Sequence, residues 1–313
     1  MTANSKRVPG KRKRSSMTAA KVARGMVFLA HDPIHRNLMP KGAADSVERL
    51  CLAAGVIKPW MSRLFANRWY QRFTVGLVDR FWPGELMRLT LRKRFVDDEV
   101  RSAIEEGASQ VLIVGAGFDT LGLRIAEEFP SVAVVDVDMP ATAERKRAAI
   151  EELGIGSANY NLVGADLSKR SVGDVIRASS GWDADAATVT VAEGVVMYLD
   201  EDKVTAFLGQ IKESTGPGSR LVFSYLLADS KGRPQLGRFG GLTRASLKLV
   251  GEPLKWCVYE QELPGFLEAA GFRLETPRDR YDLRSRYLLP VGIAEPVGET
   301  ERFAVAASLR IAA

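Results

Sequence analysis

Apolar residues recur along this chain in two regimes. Up to about Glu105 they fall three and four positions apart, as in AADSVERLCLAAGVI and MRLTLRKRFVDDEVRSAIEEG, the spacing of helices that bury one stripe. From Gln110 onward the apolar runs QVLIVGA, VAVVDVD, NLVGADL, ATVTVAEGVVMYL and RLVFSYLL alternate with helical segments such as ATAERKRAAIEELG and DEDKVTAFLGQIKEST. Strands that are apolar throughout are covered on both faces, and a helix between successive strands lets them run parallel, so this half predicts a doubly wound α/β sheet. The end of the chain breaks the alternation. A helix EQELPGFLEAAGF leads to RLETPRDRYDLRSRYLL, and ERFAVAASLRI follows as a strand with no helix between, so these last two strands are expected to pair antiparallel. The predicted organisation is a tail at 1–16, a helical cap or lid at 17–105, and a sheet domain at 106–313 with an insertion at about 227–258.

Composition changes this picture in one place. With 313 residues, 46% of them hydrophobic, the chain can bury a substantial core. The net charge of +6 belongs to the tail, where Lys6, Arg7, Lys11, Arg12, Lys13 and Arg14 occur without an acid; the other 38 basic residues match the 38 acids. Such a tail cannot pack a core and is expected to be disordered. A nucleic-acid partner rests on this one charge run and is not expected. No apolar stretch approaches the ~18 residues of a membrane span, and VARGMVFLA is short and interrupted by Arg24, so neither a membrane partner nor a signal peptide is expected and the compartment reads as cytoplasmic. Cys51 and Cys257 are isolated, and His31 and His35 are the only histidines, which fits reduced thiols and no zinc site.

The candidate chemistry lies at the strand ends, where open α/β sheets bind ligands. VLIVGAGFDTLGLRIAEEF places Gly115 and Gly117 in a turn between strand and helix, with Thr120 where a dinucleotide fingerprint has its third glycine. The first four strands end on Asp119, on Asp136 and Asp138, on Asp166 with Leu167, and on Glu193. Each acid taken alone is also a helix cap, a strand end or a loop residue; the set of four argues for a site. A carboxylate in the glycine turn opposes a pyrophosphate there, whereas S-adenosylmethionine brings a sulfonium cation, a ribose diol for the second strand end and an adenine amino group for the third.

The segments LRKRFVDDEV, QVLIVGAGFDT, VVDVDMP, GADL and AEGVVMYL stand in the order and spacing of the leucine carboxyl methyltransferase-like family, which includes bacterial carboxyl methyltransferases of polyketide biosynthesis. The chain resembles that family from residue 17 to about 226. The resemblance implies a Rossmann-like, mainly parallel seven-stranded sheet with an antiparallel last strand and an N-terminal helical cap. It also implies S-adenosylmethionine as cofactor, with Gly115 in the turn, Asp138 on the ribose, Asp166 and Leu167 around the adenine, Glu193 near the methionine part and Arg92 on its carboxylate. Lys21, eleven residues before Asp32 of HDP, matches a second cationic contact. Asp136 stands where the family usually has Glu, and Leu121 where it has Arg, while Arg124 keeps a second arginine.

Methyl transfer from a sulfonium to an anionic oxygen cancels charge, so a dry pocket that aligns the atoms ~3–3.5 Å apart favours it. A carboxylate acceptor, with a pKa of ~4, needs no base at neutral pH, in keeping with the scarcity of histidine; a phenol, at ~10, would call on His31 or His35. Tyr198, Tyr225 and Trp256 are candidates to face the acceptor, with core packing as the alternative, and RFGGLTR (238–244) lies in the insertion. No catalytic acid or base is assigned. The expectation is an S-adenosylmethionine-dependent O-methyltransferase that forms a methyl ester on a small carboxylic acid. A phenol O-methyltransferase, a nicotinamide dehydrogenase and an RNA-associated protein are the alternatives.

Overall fold

Every residue of Gln110–Val114 is buried, because this strand, β1, runs through the middle of the sheet with side chains packed on both faces. The computed structural model describes residues 17–179, 181–237, 240–249 and 251–309, so the basic tail at 1–16 lies outside it. Six helices precede β1: α1 (Met17–Ala30), α2 (Pro33–Leu38), α3 (Ala43–Ala53), α4 (Pro59–Phe65), α5 (Arg68–Phe81) and α6 (Glu85–Glu105). The HDP motif is the start of α2, where Asp32 accepts from the backbone N–H groups of Ile34 and His35 and Pro33 fills the first helical position.

After β1 come α7 (Leu121–Glu128), β2 (Ala133–Asp138), α8 (Pro140–Leu153), β3 (Tyr160–Gly164), α9 (Val172–Arg177), β4 (Thr188–Ala192), α10 (Glu201–Glu213) and β5 (Arg220–Tyr225). The chain continues through α11 (Gly240–Leu249), α12 (Leu263–Ala269), β6 (Phe272–Arg278), α13 (Arg280–Leu283) and β7 (Arg302–Ser308). The seven strands lie in the order β3-β2-β1-β4-β5-β7-β6, and β7 runs antiparallel to both of its neighbours. The expected fold class holds, with the order reversing between β1 and β4.

Alternation along β1 builds two cores. Val111 and Ile113 join a cluster with Val134, Val189 and Val191 that α6 covers through Leu91, Phe95, Val96 and Val100. Leu112 and Val114 join the opposite cluster with Val135 and Val137, covered by Val175 and Ile176 of α9 and Leu208 and Ile211 of α10. A third cluster holds α1, α3 and α4 together, and Phe118 of the glycine turn is buried in it. The turn is thus plugged into the helices above it.

Two elements depart from the sequence reading. The fourth apolar run ends as a strand at Ala192, since Gly194 takes a left-handed φ of 66° and a 3₁₀ turn at Val196–Tyr198 follows. Helical turns also intervene between β6 and β7, where the sequence suggested none. Asp279 and Asp282 form a reciprocal capping box at the start of α13, and Leu283, Tyr287 and Leu288, at helical spacing, pack into the cluster with α6.

The close helix–strand approach expected of a third glycine falls at Gly122. A Cβ there would lie 2.4 Å from Oδ1 of Asp136. Asp136 is therefore a buried structural acid rather than a wall of a site: it is fully buried, its Oδ2 lies 2.7 Å from Nζ of the equally buried Lys146, and the hydroxyl of Tyr160 donates to the same oxygen at 2.7 Å. Lys146→Met leaves that carboxylate without its counter-charge, and removing one partner of a buried pair costs about 3–5 kcal/mol. Denaturant unfolding of the variant is expected to show a loss of that size, and a loss below about 1 kcal/mol would refute the structural role.

Candidate active site

Where the strand order reverses, a cavity of about 560 Å³ opens at the carboxyl ends of β1, β2, β3 and β4, with α1 on its opposite wall. Its floor is the glycine turn. Gly115 and Gly117 have φ of 72° and 53°, where a side chain is strained. A Cβ on Gly115 would also lie 2.6 Å from Cγ2 of Val195, and one on Gly117 would reach Ala19 of α1 at 3.4 Å. Gly115 thus has a packing role as well as an open face.

At the end of β2, the Asp138 carboxylate accepts one backbone N–H on each oxygen, from Gly117 to Oδ2 and from Met139 to Oδ1, both at 2.7 Å. Burial pushes this carboxyl above its ordinary range against the pull of those two donors. The Thr142 hydroxyl bonds the same carboxylate, and with three donors on two oxygens acceptor capacity remains for a ligand hydroxyl. At the end of β3, Asp166 Oδ1 accepts from the Ser168 hydroxyl at 2.6 Å, beside Leu167 in the cavity wall.

Asp119 and Glu193 do not make the cavity acidic, contrary to the reading from four acidic strand ends. Arg88, Arg92 and Lys93 of α6 meet four acids, the first of them Glu85 of the same helix, 2.8 Å from Arg88 Nε. Arg92 Nε lies 2.7 Å from Glu193, Lys93 Nζ lies 2.6 Å from the same Glu193 oxygen, and Arg92 Nη1 lies 2.8 Å from Glu301, just before β7. Arg88 also pairs with Glu301, and Lys93 with Asp119. Burial alone would raise the Asp119 carboxyl, but the Lys93 ammonium outweighs it and holds the group well below the usual carboxylate range. Glu301 follows the same pattern: burial opposes its charge, yet Arg92 and Arg88 bring it down to about 2. Asp119 in addition accepts the Leu121 N–H at 2.8 Å, so it caps the start of α7 and lines the cavity at once.

The remaining wall is mostly apolar, with Met197, Leu226, Leu236 and Leu254 beside Tyr198 and Glu252. Burial, with Glu301 and Glu252 nearby, pushes the Tyr198 phenol up to about 12. Thr18 of α1 donates to the Glu252 carboxylate and so joins the cap to the insertion across the cavity.

Of the residues singled out in the sequence, Arg92, Gly115, Gly117, Asp119, Asp138, Asp166, Leu167, Glu193 and Tyr198 line this cavity. Three do not. Lys21 is exposed on α1, whose cavity side is formed by Thr18, Ala19, Val22, Ala23 and Met26. Tyr225 and Trp256 are buried in the second core, where Tyr225 shares a face with Phe223 and Trp256 lies against Phe266. Neither histidine lines the cavity: His35 is bonded to Thr90 at 2.8 Å and His31 to Glu48 at 3.1 Å. Sequence reasoning missed Arg88, Lys93, Glu301, Thr18 and Glu252. The spacing of Arg88, Arg92 and Lys93 on one helix was a usable signal, but nothing near Glu301 marked it.

Residues 17–212 match the leucine carboxyl methyltransferase family. A Streptomyces coelicolor protein named as an S-adenosyl-L-methionine-dependent methyltransferase is 33% identical over 135 residues, 42% of this chain and 46% of its own length. A Mycobacterium leprae protein of the same description is 30% identical over 204 residues, 63% of this chain and 65% of its own. The chain spans about half the length of the curated relatives it matches. The fold is also similar to crystal structures of a Thermobifida fusca protein assigned as a methyltransferase (TM-score 0.55, 20% identity, 89% of this chain and 98% of that one) and of a Streptomyces avermitilis duf574 family protein (TM-score 0.57, 19% identity, 76% and 90%). At these identities the likeness is one of fold.

The depressed Glu301 carboxyl links the site to stability. Its folded value of about 2 lies below its ordinary 4.5, so its contribution is full above pH 4.5 and is lost as pH falls toward 2; the shift corresponds to roughly 3 kcal/mol. Glu301→Gln leaves two guanidinium groups without this counter-charge. The gap in unfolding free energy between the parent and the variant should therefore be largest above about pH 5 and narrow toward pH 2. A gap that stays constant over this range would show that the carboxylate charge is immaterial.

Proposed function

Because the chain belongs to the leucine carboxyl methyltransferase family, which its residues 17–212 match, we propose that it is an S-adenosylmethionine-dependent O-methyltransferase acting on a small acceptor with an apolar body. The observation that carries this reading is the placement of Asp138, the glycine turn and the ionic cluster of α6 in one cavity. The residues present fit the cofactor. Asp138 has two oxygens able to accept the ribose hydroxyls, Asp166 and Leu167 stand where the adenine is expected, and Arg92 with Glu193 offers opposite charges to the carboxylate and ammonium of the methionine part. A Cβ on Gly117 would reach into the gap between the turn and α1. When bound, S-adenosylmethionine supplies the electrophilic methyl group.

The chain's own part is to bind, orient and dry. The cluster pairs each of the cations Arg88, Arg92 and Lys93 with acids drawn from Glu85, Glu301, Glu193 and Asp119, so it accommodates a zwitterion without an uncompensated buried charge. Helix α1 and the apolar side chains of the insertion keep water from the acceptor end. We assign the acceptor group as a carboxylate, already ionised near neutral pH, since no histidine lines the cavity. A hydroxyl acceptor is the second reading, favoured by the Glu252 carboxylate and the Tyr198 phenol in the apolar part of the wall. The proposed partner is accordingly a small carboxylic acid, and the proposed compartment is the cytoplasm. Among the described residues no helix is long and apolar enough to cross a membrane.

Two measurements check the assignment. S-adenosylhomocysteine should raise the melting temperature, by mass action on the native state, whereas NAD should not. Asp138→Asn, which halves the acceptor capacity of that side chain, should lower the affinity at least tenfold, as expected for a hydrogen bond to a charged group worth about 1.5–3 kcal/mol. A melting shift with NAD alone would sink the reading. For the bond type, label from methyl-tritiated cofactor should become volatile methanol after mild alkali if a methyl ester has formed. Label that stays on an intact acceptor would favour the hydroxyl reading and leave the cofactor assignment standing.

A further inference from the structure

Helix α5 turns four large apolar side chains toward solvent. Trp69, Phe73, Leu77 and Phe81 are 75%, 57%, 50% and 44% exposed, and Trp69 and Phe73 stack with ring centroids 5.6 Å apart and planes 4° from parallel. Residues four apart drift by about 40° around a helix, so these four form one continuous arc of about 120°. Arg68 and Arg72 border the arc, Arg80 falls inside it, and all three are exposed. The helix contains one acid, the half-buried Asp79, which accepts the Gly84 N–H. Its outer face is thus aromatic and cationic.

The fold does not need these four side chains, because α5 is anchored by Gln71 and Tyr70. Gln71 Nε2 donates to the carbonyls of Phe28 and Phe65, both at 2.8 Å, and the Tyr70 ring lies 6.2 Å from Phe28 and 6.4 Å from Phe65. On α4, Trp60 and Leu64 are exposed as well, near the exposed Lys58 and Arg63, and repeat the composition.

We propose that this face of α5 docks on an anionic membrane surface. Aromatic and leucine side chains in one arc, with arginines beside it and no exposed acid, match a helix lying in the plane of the headgroups: the rings enter the acyl boundary while the guanidinium groups reach lipid phosphates. A second copy of this chain fits the face less well. A two-fold contact would set Arg80 of each copy within an apolar interface, where the one acid of α5, Asp79, is half-buried and accepts the Gly84 N–H. Docking there brings α1, the helix between α5 and the cavity, beside a phase that dissolves apolar molecules; that last step rests on the proposed function.

The test is sedimentation of the full chain with phosphatidylglycerol vesicles and with phosphatidylcholine vesicles, which reads binding without the reaction and so stands apart from the methyltransferase assignment. Selective sedimentation with the anionic vesicles is expected. Trp69→Ser combined with Phe73→Ser retains every charge in the chain, including those of the basic tail, and should lower the partition coefficient more than tenfold at an unchanged melting temperature. Arg68→Gln, Arg72→Gln and Arg80→Gln together should lower it about 100-fold, at the roughly 1 kcal/mol each basic residue contributes near such a surface. Equal binding to both vesicle types, or undiminished binding by the double serine variant, overturns the proposal. A dimer that the double serine variant dissociates, without vesicle binding by the parent, assigns the face to a second copy and overturns it as well.

Discussion

A cluster of buried and half-buried charges holds the parts of this molecule together. Helix α6 packs Leu91, Phe95 and Val96 against the sheet while Arg88, Arg92 and Lys93 engage Asp119 from the glycine turn, Glu193 from beyond β4 and Glu301 from before β7. Because charges of this kind are stable in a dry interior only when matched, the balance fixes where these segments stand relative to one another. Shape alone would not. An apolar seam tolerates sliding at modest cost, whereas displacing any one of these groups leaves its partner buried and unneutralised.

The same balance bears on how a charged ligand is received. A uniformly acidic cavity would attract any cation, and a uniformly basic one any phosphate. This cluster presents both signs over the six positions from Arg88 to Lys93, so under the proposed function it would discriminate by the spacing of charges in the ligand rather than by their sum. Asp138 stands apart from it, held by two backbone N–H groups and raised by burial. It is suited to neutral donors such as hydroxyls.

Much of the fold was legible because parallel strands covered on both faces read as unbroken apolar runs, and because each of the first four runs ended in glycine or an acid. The turn at Gly115 and Gly117 and the acids Asp138 and Asp166 are local features of that kind. The pairing of Arg92 with Glu301 spans 209 positions, and no periodicity reports on such a distance. Tyr225 was misplaced although the information was there: with the period of two it falls on the same face as Phe223, into the core. The turns after β6 were hidden by charged residues that mask the helical spacing of Leu283, Tyr287 and Leu288. The arc of exposed rings on α5 forms no long apolar run and shows only in how apolar residues are distributed around the helix axis.

Strand β7 also sets the order in which the molecule can be completed during synthesis. It lies between β5 and β6 although it follows both in the chain, so the sheet stays open until this segment has left the ribosome and slipped into the gap. Until then Glu301 is absent from its place, and Arg88 and Arg92 keep only one acid each, Glu85 and Glu193. A nascent chain can form β1 to β5 and the glycine turn by local steps, but the tie between α6 and the far side of the sheet is still missing. The complete ionic cluster therefore arrives with β7 rather than accumulating as the helices and strands before it fold.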